Sequence, residues 1–108
     1  MDQYQIDSRL TWKDVETGIT FDDYCLLGLA SEVGELLGIV KKVYRDRNGE
    51  ASPEIREKIK LELGDILWYL TQVATSTGFS LQEIADANTS KLVDRRSRGA
   101  IGGDGDYR

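Results

Sequence analysis

The chain of 108 residues has no histidine, one cysteine and one proline. Without histidine it cannot build Ser-His or Cys-His nucleophilic pairs, imidazole zinc sites, or the Glu-x-x-His ligand sets of di-iron bundles. A lone cysteine, Cys25, makes no intrachain disulfide, which fits a reducing compartment. It stands in an apolar helical run and is expected as a buried, unreactive thiol. No apolar run approaches the roughly 20 residues that span a bilayer. The opening Met1-Asp-Gln-Tyr-Gln-Ile lacks the basic-then-apolar layout of a signal peptide, so the expected location is cytoplasmic. Positive charge is in deficit, with 14 Lys and Arg against 19 Asp and Glu and a net charge of −5. Duplex nucleic acid is therefore not an expected partner. Any chemistry falls to carboxylates, basic side chains and a metal.

What is present reads as one small all-α domain. A chain this short buries only about two thirds of its unfolded surface, so help from a partner subunit is expected. From near Asp22, apolar residues recur at steps of three and four: Leu26, Leu29, Ala30, Val33, Leu36, Leu37, Val40, Val43 and Tyr44. Lys41, Lys42, Arg45 and Arg47 gather at the C-terminal end, and Asn48-Gly49 breaks the helix. A second helix starts at Ser52-Pro53-Glu54 and carries Ile55, Ile59, Leu63, Ile66, Leu67, Leu70, Val73 and Ala74 to a stop at Gly78. A third opens on the capping box Ser80-Leu-Gln-Glu83 and runs to about Arg98. Tyr4, Ile6, Leu10 and Trp12 mark a short N-terminal helix. The expected fold is a bundle of two long antiparallel helices, a shorter third helix and a short N-terminal one, completed by dimerisation. Residues 1–98 form the domain; residues 99–108 are a Gly-rich tail or a loop ordered by substrate.

The chemistry-bearing pattern is a doubled acidic motif. Glu32 and Glu35 lie three apart around Gly34; Glu62 and Asp65 lie three apart around Gly64. Residues at this spacing share a helix face. If the two helices pair antiparallel, their middles meet and the four acids converge. Two carboxylates about 4 Å apart repel by roughly 4 kcal/mol at an effective dielectric near 20. A divalent cation removes that cost, and an all-oxygen set suits Mg²⁺ or Mn²⁺. The glycines between the acids suggest close helix approach or room for a ligand. A single Glu-x-x-Glu pair is ordinarily a solvated face; the repetition is what points to a site.

The third helix places Asn88, Lys91, Arg95 and Arg98 along one face, a set suited to phosphate oxygens. Lys41 and Lys42 either join them or serve as helix C-terminal charges. Tyr69, one turn beyond Asp65, either stacks on a base or sugar or fills a core or interface. Trp68 points away from that strip and reads as core or interface.

Together these residues resemble the MazG-like nucleotide pyrophosphohydrolases of the all-α NTP pyrophosphatase group. Gly28-Leu-Ala-Ser-Glu-Val-Gly-Glu35 looks like that family's Glu-x-x-Glu helix, followed by Lys41-Lys42. Glu62-Leu-Gly-Asp-Ile-Leu-Trp-Tyr-Leu70 looks like its Glu-x-x-Asp helix, after a gap of 26 residues. Asn88-Thr-Ser-Lys-Leu92, with Arg95 and Arg98, resembles its phosphate helix, and Tyr4-Gln5 and Thr11 resemble its opening segment. The resemblance implies that the acidic four bind Mg²⁺ and that a nucleoside triphosphate is split to a monophosphate and pyrophosphate. It also implies dimers or dimers of dimers. On that basis a water activated by Mg²⁺ attacks the α-phosphorus, with Glu32 or Glu35 as general base. House-cleaning removal of damaged nucleotides, pool balance and stress control would all use this reaction. The alternative is a non-catalytic helical dimer that binds nucleotide or metal as a sensor or partner-binding protein. In place of the family's aromatic Arg-Tyr-Pro type ending, this chain carries its Gly-rich acidic tail.

Overall fold

A computed structural model describes residues 1–13 and 20–106, apart from the Phe21 side chain. Tyr107 and Arg108, the end of the expected tail, lie outside the described residues. Among the described residues four α-helices follow in order: α1 (Gln3–Ser8), α2 (Phe21–Arg47), α3 (Pro53–Thr77) and α4 (Leu81–Ser97), with a 3-10 turn at Arg9–Thr11 after α1. Among the described residues there is no strand.

The helix ends are built by local chemistry. Thr20 accepts from the Asp23 amide at the start of α2, at 3.1 Å. Asp22 and Asp23 lie in its first turn, where the helix dipole favours acids. Asn48, with φ 53, and Gly49, with φ 79, turn the chain out of it. Ser52 accepts from the Ile55 amide at 3.2 Å ahead of Pro53, and Gly78 closes α3 at φ 87. The Ser80 hydroxyl accepts from the Glu83 amide at 3.0 Å while Glu83 accepts from the Ser80 amide at 3.1 Å, a reciprocal cap.

α2 and α3 form the main packed pair. Tyr24 meets Tyr69, Glu32 meets Glu62, and Val43 lies beside Ile55 and Lys58. One number rises as the other falls, so the helices run antiparallel. Gly28 allows the close approach at the N-terminal end of α2: a Cβ built there would run into the Tyr69 ring. At Gly34 and Gly64 a Cβ would meet open space, so in the single chain neither marks a close helix contact.

A polar seam fixes α1 on α3. The Gln5 side chain, fully buried, donates to the Thr75 hydroxyl and the Phe79 carbonyl, both at 3.0 Å. Gln72 donates to the Ser8 hydroxyl at 2.8 Å, and Ser8 donates in turn to the Gln5 carbonyl at 2.8 Å. Asp2 accepts from the Gln82 amide at 2.9 Å, in the first turn of α4. Buried polar groups of this kind hold position because leaving one unpaired costs about 1–3 kcal/mol.

The apolar stripes do not find a full core within one chain. Among the described residues the buried apolar side chains are Cys25, Val43 and Ala74. Leu26, Val33, Leu37 and Tyr44 on α2 and Leu63, Leu67 and Leu70 on α3 stand exposed. α4 packs only sparsely on the other helices, so it covers neither stripe. The radius of gyration is 17.2 Å, against about 13 Å for a compact chain of this length. The accessible surface is 8025 Å², roughly 2,000 Å² above a compact monomer of this size.

Candidate functional site

The site lies between α2 and α3, near the middle of α2. Glu32, Glu35 and Glu62 each bring one carboxylate oxygen within 4.8 Å of the others. Glu32 Oε2 and Glu62 Oε2 are both buried and have no hydrogen-bond donor. Burial pushes the Glu32 carboxyl up to about 7, reinforced by its contact with Glu62 and by the charges of Glu35 and Asp65. Such a pair wants either a shared proton or a cation. The donor set is hard oxygen with no nitrogen or sulfur ligand, so these residues fit a divalent cation of the Mg²⁺ or Mn²⁺ class.

Asp65 stands outside this trio. It lines the adjoining cavity with Glu32, Thr11, Lys13, Tyr24, Trp68 and Tyr69. That cavity measures about 400 Å³, within the range of small-molecule sites. Three aromatic rings shape it. Tyr69 meets Trp68 edge-on at 5.1 Å between centroids and Tyr24 at 6.3 Å. Burial and the contact with Tyr24 push the Tyr69 hydroxyl up to about 12, so it stays protonated. The Trp68 indole donates to Thr11 Oγ1 at 2.8 Å and to the Ser8 carbonyl at 3.1 Å. The polar seam thus reaches the cavity wall: α1 and its following turn position Thr11 and orient Trp68.

Trp68, expected in a core or interface, lines the cavity beside Tyr69. Tyr24 sits one turn before Gly28 on the same strip as Glu32, a spacing that could have revealed it. Thr11 and Lys13 come from a segment more than fifty residues before Asp65, Trp68 and Tyr69, and no spacing rule finds them.

The basic residues fall elsewhere. Lys42 lies in a separate depression near the α2–α3 turn, with Asp46, Arg47 and Lys58. Asn88 and Lys91 line a groove on α4 with Phe79 and Ile84. Arg95 is buried, and Arg98 pairs with Asp94 at 2.9 Å. Because α4 packs sparsely on α2 and α3, the single chain does not bring its basic face alongside the acidic trio. Among the described residues no helix is long and apolar enough to cross a membrane.

Comparison with known proteins agrees with the geometry. The chain is 40% identical over 85 residues to the Gene 37 protein of Mycobacterium phage L5, an alignment covering 79% of this chain and 75% of that protein. No solved structure gives a significant match. The model of the MazG nucleotide pyrophosphohydrolase domain matches residues 22–99, from the first turn of α2 to the glycine after α4. The matched span takes in both acidic pairs and the basic face of α4, and the chain belongs to the MazG nucleotide pyrophosphohydrolase family.

Proposed function

We propose that the protein is a metal-dependent nucleoside triphosphate pyrophosphohydrolase, converting a (d)NTP and water to a (d)NMP and pyrophosphate. The observation that carries this reading is the acidic trio Glu32, Glu35 and Glu62, with buried oxygens of Glu32 and Glu62 that find no donor, at the edge of an aromatic-lined cavity. Glu32, Glu35, Glu62 and Asp65 would hold Mg²⁺, with Mn²⁺ as substitute, which when bound supplies neutralising charge for phosphate oxygens and acidity for a water.

The chain's own groups do the rest. Tyr24, Trp68 and Tyr69 offer ring faces and edges to the nucleoside, and Thr11 holds the indole in place. Either Glu32 or Glu35 accepts the proton of the attacking water at a carboxylate oxygen. The water oxygen bonds to the α-phosphorus as the bridging oxygen to the β-phosphorus leaves with pyrophosphate. Lys91, Arg95 and Arg98 offset the leaving charge, with Asn88 donating to a phosphate oxygen and Lys42 as a further cation. We place that role in an assembled homodimer or homotetramer, a reading supported by the sparse packing of α4 on α2 and α3 in one chain. The exposed stripes of α2 and α3 and the excess surface support such an assembly.

The test is a purified protein, Mg²⁺ and a panel of nucleotides, with products separated. Pyrophosphate and a monophosphate are the expected products. Orthophosphate release would place the cleaved bond elsewhere, and binding without turnover in Mg²⁺ or Mn²⁺ would make the protein a sensor. Undiminished turnover by Glu35→Gln would remove that residue from the site.

A further inference from the structure

The expected tail does not hang free of the helix before it. Gly99 turns the chain at φ 69 and the Ala100 amide donates back to the Arg95 carbonyl at 2.7 Å. Gly103 and Gly105 take φ 100 and φ 80, values that fold the segment over α4. The turn brings Asp106 onto the basic face. Lys91 Nζ donates to Asp106 Oδ1 at 2.9 Å, and the Arg95 guanidinium donates to the same oxygen at 3.3 Å and to the Gly105 carbonyl at 3.2 Å.

The match between these groups is incomplete. The Arg95 side chain is 4% exposed, and its buried Nε finds no acceptor. Two cations share one carboxylate oxygen, and the Asp106 side chain is 74% exposed. A phosphate group presents three oxygens and up to two charges, enough to meet Nζ, Nη and Nε together, where one oxygen of a carboxylate does not. Beside Lys91 the groove lined by Phe79, Glu83, Ile84, Ala87 and Asn88 leaves about 550 Å³ for the remainder of a ligand. The Lys91–Asp106 pair is open to water and salt, which screen it, so it is readily exchanged.

We propose that Asp106 occupies, in the free chain, a phosphate position formed by Lys91 and Arg95, so that the tail must leave α4 before substrate phosphates or pyrophosphate bind there. This rests on the assignment of the α4 basic face to phosphate under the proposed function. The tail is a self-competitor: apparent affinity is reduced by the fraction of molecules whose tail is closed.

The experiment measures inorganic pyrophosphate binding to the full chain by calorimetry, in wild type, Asp106→Asn, Lys91→Ala and the double variant. Asp106→Asn is expected to bind about three- to tenfold tighter. Lys91→Ala weakens binding and removes most of that gain in the double variant. In wild type, saturating pyrophosphate shifts the Gly103 and Gly105 amide signals toward random-coil positions. In nucleotide turnover, Asp106→Asn lowers KM by a similar factor. Equal or weaker pyrophosphate binding by Asp106→Asn overturns the proposal, and weaker binding would make the tail a lid that closes on phosphate. Absence of binding by every variant overturns it as well. If no nucleotide is hydrolysed but Asp106→Asn still tightens pyrophosphate binding, the hydrolase reading fails while the tail competition stands.

Discussion

Glu32 and Glu62 each turn one carboxylate oxygen into the space between α2 and α3 where neither finds a donor. With Glu35 close by, this is a concentration of negative charge held by packing and not by pairing. A fold keeps such a contact at a cost in stability, which a bound cation removes.

Mg²⁺ should therefore raise the melting temperature, by the equivalent of about 2.7 kcal/mol at 100 times its dissociation constant. Glu62→Gln should stabilise the metal-free protein, by roughly the 4–8 °C that about 1 kcal/mol makes in a domain near this size. The same variant should lose most of the Mg²⁺ response. Thermal denaturation of both proteins with and without Mg²⁺ checks the pair of outcomes; a wild-type melting point indifferent to Mg²⁺ and Mn²⁺ would count against the metal site.

The raised Glu32 carboxyl gives a pH dependence of definite sign. Its ordinary value is 4.5 and its folded value about 7, so the folded state binds the proton more tightly than the unfolded. Stability from this group is full below about 4.5 and is lost as pH rises through about 7. Metal binding runs the other way, since the cation displaces the proton: affinity for Mg²⁺ should fall as pH drops below about 7, toward tenfold per unit if one proton is released. Calorimetric Mg²⁺ titrations at pH 6 and pH 8, with Glu32→Gln as control, measure it.

Gly28 and the two glycines between the acids should respond oppositely to alanine. Gly28→Ala places a methyl against the Tyr69 ring, costing about 1–3 kcal/mol and disturbing the cavity wall, with a raised KM. Gly34→Ala and Gly64→Ala meet open space and should each stabilise by up to about 1 kcal/mol through helix propensity. Urea denaturation of the three variants distinguishes the sites; a loss at Gly34 or Gly64 would reveal a second copy packed there.

Ser8→Ala strips Gln72 of its acceptor inside a buried seam. The expected cost is about 1–3 kcal/mol. Thr11→Val removes the nearer acceptor of the Trp68 indole and should raise the KM for nucleotide more than it lowers kcat. Trp68 fluorescence, which reports the indole environment, should shift in both variants.

The exposed stripes predict an assembly. Sedimentation should give at least twice the chain mass, and Leu37→Glu or Leu63→Glu, at exposed apolar positions, should shift it toward the monomer. A monomeric wild type at working concentration would remove the assembled site proposed for the α4 basic face.

Helix existence and boundaries were readable because they depend on neighbours in the chain. Ser52-Pro53, the Ser80–Glu83 cap and the Asn48-Gly49 stop each satisfy or end a helix with groups a few residues away. The acidic pairs were readable for the same reason, since three-residue spacing places both acids on one face. Which acids meet was less so: Glu62 joins Glu32 and Glu35 while Asp65 stands toward the cavity, because the rotation of α3 about its own axis comes from packing at Gly28 and Tyr69. Trp68 turns inward to hydrogen bonds from a segment some sixty residues earlier, which no local pattern encodes.

Four helices, their turns, and an oxygen-only donor set free of imidazole follow from residue types and spacing, since those properties are local and additive along the chain. The meeting of Glu32 with Glu62, the aromatic cavity closed by Thr11, the separation of α4 from the acidic trio and the seating of Asp106 on Lys91 and Arg95 follow from three-dimensional packing. The first two join segments distant in the chain, and such contacts are chosen by competition among whole surfaces.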